Sequence, residues 1–228
     1  MIIPHCLSAE TVFLNLGGTT DFIRPKRFSW GIFVCLNVSY TFGGKKDMQT
    51  KLWLRPYKKC DAKFIVNWCK DEISFRKWCS DRWQSYPITA EDMNRKYFAD
   101  NGDCGDEDNF YPMTFMENND VVGHLILRFT DEKRTALRFG FVIVDDTKRG
   151  LGYGKEMLNL ALKYSFEILK ADKVTLGVFE NNASAYNCYN SVGFKNIESQ
   201  SKSQFSFYGE VWNIFELEMT EKDYRIKK

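Results

Sequence analysis

The sequence has few residues of the kinds that bind metals. It contains only two histidines, His5 and His124, and its seven cysteines include no C-x-x-C pair. Zinc and iron–sulfur sites need closely spaced cysteine and histidine ligands, so we predict no metal site. An odd number of unpaired cysteines also favours reduced thiols, and therefore a cytoplasmic protein.

Neither sign of charge is in excess, and no long apolar run is present. The 32 Lys and Arg residues nearly balance the 30 Asp and Glu residues, for a formal net charge of +2. A protein that binds nucleic acid usually carries a basic surface, so we predict no nucleic-acid partner. The apolar stretch 28–38 is interrupted by Ser29, Gly31 and Asn37 and is shorter than the roughly 20 residues that a membrane helix needs. We therefore predict no membrane association.

The first part of the chain differs from the rest. Residues 1–47 lack sustained helical or strand periodicity, whereas orderly patterns begin at Lys51. We expect residues 1–47 to be a poorly ordered extension and residues 48–228 to form one domain. One interpretation is that translation begins at Met48, because in a bacterial gene the codons of Gly43 and Gly44 would resemble a ribosome-binding purine run.

Local signals predict three elements of the domain. Asp61 is expected to cap a first helix, and Thr89 with Asp92 is expected to form a capping box before Met93–Phe98. Residues 110–129 are expected to form a β-hairpin with its turn at 118–120.

A glycine-rich bend is the strongest local signal. The apolar run 139–144 ends in Asp145 and Asp146, and a helix-compatible stretch starts just after Gly150-Leu-Gly-Tyr-Gly154. Glycines allow several backbone N–H groups to point into one concavity, and the N-terminus of the next helix adds partial positive charge. The bend is therefore predicted to bind phosphates.

Three nucleotide-loop patterns were compared with this bend. The dinucleotide pattern G-x-G-x-x-G fails because Lys155 occupies its last position. The P-loop pattern fails because Arg149 replaces its first glycine and Glu156 replaces its hydroxyl residue. The pattern R-x-x-G-x-G fits, from Arg149 through Gly152 to Gly154.

A second motif follows one helix and one strand later. Val174–Phe179 is predicted to be a strand, and after it come Asn182-x-x-Ala-x-x-x-Tyr189 and Gly193–Phe194. Together the two motifs resemble the GNAT superfamily of acyl-CoA-dependent N-acyltransferases, most of all its ribosomal-protein and polyamine branches. The resemblance covers about residues 51–219 and is strongest over 137–194.

The resemblance implies an α/β (α+β) fold with a mixed, mainly antiparallel central sheet of about six to seven strands and helices on both faces. It also implies that acetyl-CoA binds as co-substrate. The residues expected to hold it are the strand residues Val142, Ile143 and Val144, the loop residues Arg149, Gly150, Leu151, Gly152, Tyr153, Gly154 and Lys155, and Asn182. As the first residue of a helix, Asn182 has an N-cap as its alternative role.

The resemblance also assigns part of the chemistry. Tyr189 stands where the superfamily has the acid that protonates the leaving CoA thiolate; the alternative role of its ring is packing. The oxyanion donor is expected where strands 137–144 and 174–179 diverge. Some ribosomal-protein acetyltransferases have a glutamate twelve residues before this tyrosine, where this chain has Gly177. The base therefore stays unassigned among Glu72, Glu180 and His124, and for His124 a buried structural role is the favoured reading.

The predicted function is transfer of an acetyl group from acetyl-CoA to a primary amine in a ternary complex. The acceptor is expected to be a protein N-terminus or a small polyamine-like amine, selected by the segments 71–86 and 199–210. The alternative is a CoA-binding sensor or interaction module with the same fold and no turnover. The strand Val211–Met219, if it lies at the sheet edge, would offer a pairing surface for a homodimer.

Overall fold

A computed structural model describes residues 36–40, 50–106, 108–197 and 203–227. Most of the expected N-terminal extension, residues 1–35 and 41–47, lies outside the described residues. Within it, Leu36–Tyr40 forms β1, which pairs antiparallel with β2 (Thr50–Pro56).

The described residues form one mixed sheet. Its remaining strands are β3 (Tyr111–Glu117), β4 (Asp120–Phe129), β5 (Ala136–Val144), β6 (Lys173–Phe179), β7 (Lys195–Asn196), β8 (Gln204–Phe207) and β9 (Glu210–Thr220). The strand order is β1-β2-β3-β4-β5-β6-β9-β7, with β8 paired to β9, and β5–β6 is the parallel pair. The mixed, mainly antiparallel fold is confirmed. The short strands β1, β7 and β8 raise the count above the expected six to seven.

Helices cover both faces of the sheet, as expected. They are α1 (Ala62–Ile65), α2 (Glu72–Cys79), α3 (Ala90–Phe98), α4 (Tyr153–Lys163), α5 (Ala183–Val192) and α6 (Glu221–Lys227). Residues of α4 and α5 share one buried cluster with the sheet, and residues of α1, α2 and α3 share the other. β5 contributes Phe139 to the first cluster and Ile143 to the second, because a bulge between these two residues reverses the regular alternation of side chains.

The helix starts test the capping predictions. Thr89 and Asp92 form the predicted capping box at α3. The expectation that Asp61 caps the first helix is wrong: its carboxylate is buried and accepts two hydrogen bonds from Arg55, at 2.6 and 2.8 Å, and one from Thr114 at 2.7 Å. At this position a buried ion pair takes the place of a side-chain cap.

The predicted β3–β4 hairpin is confirmed, and it places His124 in the interior. His124 is fully buried, and its Nε2 lies 2.8 Å from the Tyr97 hydroxyl. Burial lowers the pKa of His124 to about 3, so the imidazole is neutral at physiological pH. The prediction of a buried structural imidazole is confirmed.

The last strand does not lie at an edge. β9 pairs with β6 along one side and with β7 and β8 along the other. The homodimer prediction therefore loses the basis it had in the sequence, because the backbone groups of β9 are already paired. None of the helices in the described part of the chain has the length and apolar character needed to cross a membrane.

Candidate active site

The site is built where two parallel strands separate. β5 and β6 pair over three positions, from Ala136 with Lys173 to Arg138 with Thr175. Beyond Arg138 the strands continue to Val144 and Phe179 without pairing to each other. The separation leaves one backbone edge of β5 open to a ligand.

The open edge carries the strand residues that the sequence singled out. The Asp145 N–H donates to the Val122 carbonyl on β4 at 3.0 Å. Neighbouring residues of a strand direct their backbone groups to opposite edges, so those of Val144 and Val142 face away from β4, towards the separation. Ile143 is buried on the α1–α3 face.

A bulge shapes this end of β5. The pairing with β4 shifts between Ile126–Gly140 and His124–Ile143, and Phe141 adopts a left-handed backbone with φ of +49°. Bulges re-aim a strand and are enriched near active sites. The Trp78 indole N–H donates to the Phe141 carbonyl at 2.9 Å and ties α2 to the bulge.

The glycine bend has the geometry that the sequence predicted. Gly150 and Gly152 have φ of +78° and +88°, which side chains disfavour, and Gly152 is the N-cap of α4. The first hydrogen bond of the helix runs from the Glu156 N–H to the Gly152 carbonyl. The N–H groups of residues 153–155 precede that bond, and such groups at a helix N-terminus bind anions.

Side chains anchor the bend on both sides. The Arg149 guanidinium donates to the Trp68 carbonyl at 2.9 Å and to the Val144 carbonyl at 3.4 Å, so Arg149 holds the loop in shape. On the other side, Glu117 accepts hydrogen bonds from Lys148 at 2.6 Å and from the Tyr153 hydroxyl at 2.5 Å. Leu151 and Lys155 are exposed and available to a ligand.

The two sequence motifs meet where α4 packs on α5. A Cβ placed on Gly154 would lie 3.3 Å from the Cys188 Sγ, so the glycine allows the two helices to approach closely. Burial raises the pKa of Cys188 despite the opposing charge of Lys155, so its thiol is protonated and a poor nucleophile.

Tyr189 lies on α5 next to this contact. It is 7% exposed, and its ring packs edge-on against Phe194 with centroids 6.3 Å apart. Burial raises its pKa, so the hydroxyl is protonated at neutral pH and can donate a proton. Asn182 is the N-cap of α5, and its side chain accepts from the Ala185 N–H at 3.3 Å. Its alternative role as a cap is therefore filled.

A cavity of about 240 Å³ opens at the separation of β5 and β6. The end of α2 and the loop after it form one wall, within the segment 71–86 that was expected to select the acceptor. The lining carries four cationic side chains and one carboxylate: Lys77, Arg82, Arg128, Arg138 and Asp81.

Gly177 has a structural reason to lack a side chain. It lies directly opposite Glu216 of β9, and Glu216 forms a two-bond ion pair with Arg138 at 2.7 and 3.0 Å. A Cβ on Gly177 would approach the Arg138 Nη2 to 2.8 Å. This chain therefore has a glycine, and not a glutamate, at position 177, because a side chain there would crowd the ion pair.

The three candidate bases do not meet in the cavity. His124 is fully buried, Glu72 pairs with Arg76 at 3.0 Å, and Glu180 accepts two hydrogen bonds from Asn213 at 2.9 Å. The cavity lining contains none of the three. Sequence reasoning missed Glu117, Arg138 and Glu216; the alternation of polar and apolar residues along β9 was the signal for Glu216.

The comparisons with known proteins agree with this geometry. Residues 75–194 match the family model described as the Acetyltransferase (GNAT) family. The chain therefore belongs to the GNAT acetyltransferase family, and it is an acyl-CoA-dependent N-acetyltransferase with acetyl-CoA as its co-substrate.

Similar proteins include spermidine N(1)-acetyltransferase of Vibrio cholerae, 26% identical over 147 residues, which cover 64% of this chain and 80% of that protein. Spermine/spermidine N(1)-acetyltransferase of Bacillus subtilis is 30% identical over 113 residues, 47% of this chain and 71% of that protein. The crystal structure of the Vibrio cholerae spermidine N-acetyltransferase with CoA and spermine has the same fold. Its TM-score is 0.62 at 21% identity, covering 76% of this chain and 98% of that one.

Proposed function

We propose that the chain transfers the acetyl group of acetyl-CoA to a primary amine by direct attack in a ternary complex, with Tyr189 as the general acid. The observation that carries the proposal is the separation of β5 and β6 beside the glycine bend. The open edge of Val142–Val144 suits the amides of a pantetheine arm, which would add to the sheet as a short strand.

The glycine bend suits the pyrophosphate of acetyl-CoA. In this proposal Arg149 holds the loop while Leu151 and Lys155 border the ligand, and N–H groups from Gly150 to Lys155 donate to phosphate oxygens. Hydrogen bonds to a charged acceptor contribute about 1.5–3 kcal/mol each, so two or three of them would contribute several kcal/mol to the free energy of acetyl-CoA binding. Asn182 borders the cofactor arm from α5.

The chemistry follows from the groups at the separation. The amine nitrogen attacks the thioester carbonyl carbon, and a backbone N–H at the diverging strands stabilises the oxyanion. The C–S bond then breaks, the thiolate sulfur takes the hydroxyl proton of Tyr189, and the nitrogen loses a proton to water. Tyr189 regains a proton from water, which restores the acid for the next turnover. An alkyl ammonium has a pKa of about 10.4, so the acceptor must lose one proton before attack.

The relatives name the acceptor to test first. Spermidine and spermine are the amines in the names of the Vibrio cholerae and Bacillus subtilis proteins. A polyamine is thus the acceptor that the comparisons favour, and a protein N-terminus is the alternative. A cytoplasmic location stays a prediction; the cysteines of the described residues (Cys60, Cys69, Cys79, Cys104 and Cys188) are free thiols.

Replacement of Tyr189 by Phe tests the acid role. Loss of a general acid typically costs about 100-fold or more in kcat, whereas the affinity for acetyl-CoA should be unchanged. Tyr186→Phe is the matched control, because Tyr186 lies one turn earlier on α5 and its hydroxyl is bonded to Asn196 at 2.8 Å. Thiol release and acetyl-CoA titration would be measured for both variants. Equal turnover in both would remove the acid role.

A further inference from the structure

Two arginines face each other across neighbouring strands. Arg128 of β4 and Arg138 of β5 are direct partners in the antiparallel register, and both line the cavity. Like charges directly opposite each other destabilise a sheet. Anionic groups close to such a pair reduce this cost.

The two arginines differ in their partners. Arg138 is held by the carboxylate of Glu216 through two hydrogen bonds. Arg128 has no carboxylate within 4.0 Å among the residues that the structure describes. Its guanidinium offers up to five N–H donors, and this flat fork matches a carboxylate or a phosphate.

The rest of the cavity does not offset this charge. Lys77 donates to the carbonyl of Asn181 at 2.8 Å and lies close enough to Asp71 to interact with its charge, while Arg82 and Asp81 both line the cavity. Four cations stand against the three carboxylates Asp71, Asp81 and Glu216, for a net charge of +1 (4 − 3). A polyamine would bring two or more positive charges into this surrounding.

We infer that the acceptor carries an anionic group, a carboxylate or a phosphate, beside its primary amine, and that Arg128 binds that group; this rests on the acetyl transfer proposed for the same site. The charge of this cavity and the acceptor named for the relatives point in different directions. The inference follows this chain's own residues, because the relatives share only 26–30% identity with it.

A series of acceptors that differ only in terminal charge tests the inference on the full chain. The series is 4-aminobutyrate, butylamine and 1,4-diaminobutane, with 3-aminopropyl phosphate to compare phosphate with carboxylate. We expect kcat/KM to be highest for the anionic acceptors, lower for butylamine and lowest for 1,4-diaminobutane. The highest and lowest values should differ about tenfold, which corresponds to about 1.4 kcal/mol. A diamine acetylated as well as or better than 4-aminobutyrate would overturn the inference and leave the acetyl transfer standing.

Arg128→Gln assigns the effect to one residue. The ratio of kcat/KM for 4-aminobutyrate to kcat/KM for butylamine should fall about tenfold, which corresponds to about 1.4 kcal/mol. The fall should come from a higher KM for 4-aminobutyrate. Arg134→Gln is the matched control, since Arg134 pairs with Asp106 and does not line the cavity. A purely structural role of Arg128 would change both acceptors alike and leave the ratio unchanged, which would overturn the assignment.

A binding measurement separates this inference from the proposed chemistry. Trp78 lines the cavity, so glutarate can be titrated by tryptophan fluorescence. Saturable binding that Arg128→Gln weakens and Arg134→Gln does not would support the anion site, even if no amine were acetylated and the proposed acetyl transfer failed. Binding that is absent, or equal in both variants, would overturn the anion site.

Discussion

Replacement of Gly152 by Ala separates backbone strain from ligand binding. Gly152 has φ of +88°, and a Cβ there would meet no atom within 4 Å, so the substitution adds strain without a clash. A side chain in the left-handed region costs about 1 kcal/mol. For a domain of this size that cost corresponds to a fall of about 2–4 °C in Tm.

The same substitution should weaken acetyl-CoA binding. Gly152 is the N-cap of α4, so relief of the strain turns the N–H groups that are expected to face the pyrophosphate. Loss of one hydrogen bond to a charged group costs about 1.5–3 kcal/mol, which is about a 10- to 100-fold rise in Kd.

Two other glycines provide the controls. Gly209 has φ of +83°, also with open space around it, and lies in the β8–β9 turn. Gly209→Ala should lose the same stability and keep its acetyl-CoA affinity. Gly105 has no positive φ and no atom within 4 Å of a Cβ, so Gly105→Ala should keep both its stability and its acetyl-CoA affinity. Urea unfolding and acetyl-CoA calorimetry would be measured for all three. An unchanged Kd in Gly152→Ala, with the stability loss seen in Gly209→Ala, would refute the role of the bend.

Three further substitutions test the anchors of the fold. Asp61→Asn should lower the free energy of unfolding by about 3 kcal/mol, because it leaves the charge of Arg55 unpaired; urea unfolding measures this. Burial alone would raise the pKa of Asp61, but its hydrogen bonds lower it, so the stability it provides is present above pH 3.8 and lost as the pH falls below that value. His124 has its pKa lowered from 6.5 to about 3, so the unfolded chain takes up a proton below pH 6.5 that the folded chain does not. Stability should therefore fall by up to about 1.4 kcal/mol per pH unit from 6.5 towards 3, and His124→Phe should remove that slope. Glu117→Gln should loosen Lys148 and raise the Kd for acetyl-CoA about threefold, with no change in kcat; an unchanged Kd would mean that the anchor is dispensable.

Local patterns were enough to predict the elements that build the cofactor side. α4 follows a clear helical apolar period, and the capping box at Thr89 and the bend at Gly150–Gly154 have local chemical causes. In the structure the two motifs meet where Gly154 approaches Cys188, whereas in the sequence only their spacing related them.

The acceptor side could not be predicted in the same way, because its features come from long-range pairing. The bulge at Phe141 depends on the register with β4, and Arg138 meets Glu216 only across β6, 78 residues apart in sequence. Asp61 looked like a cap because its local sequence fits one, but the tertiary ion pair with Arg55 prevailed. Short strands such as β7 have too few residues to show a period.

The most direct test of the account is mass spectrometry of the amines after incubation of the full chain with acetyl-CoA. The panel would contain spermidine, 4-aminobutyrate, butylamine and peptides with free N-termini. The account predicts a product heavier by one acetyl group on a primary amine, formed together with free CoA. Acetyl-CoA that binds to the chain, with no acetylated amine in the panel, would contradict it and favour a CoA-binding sensor.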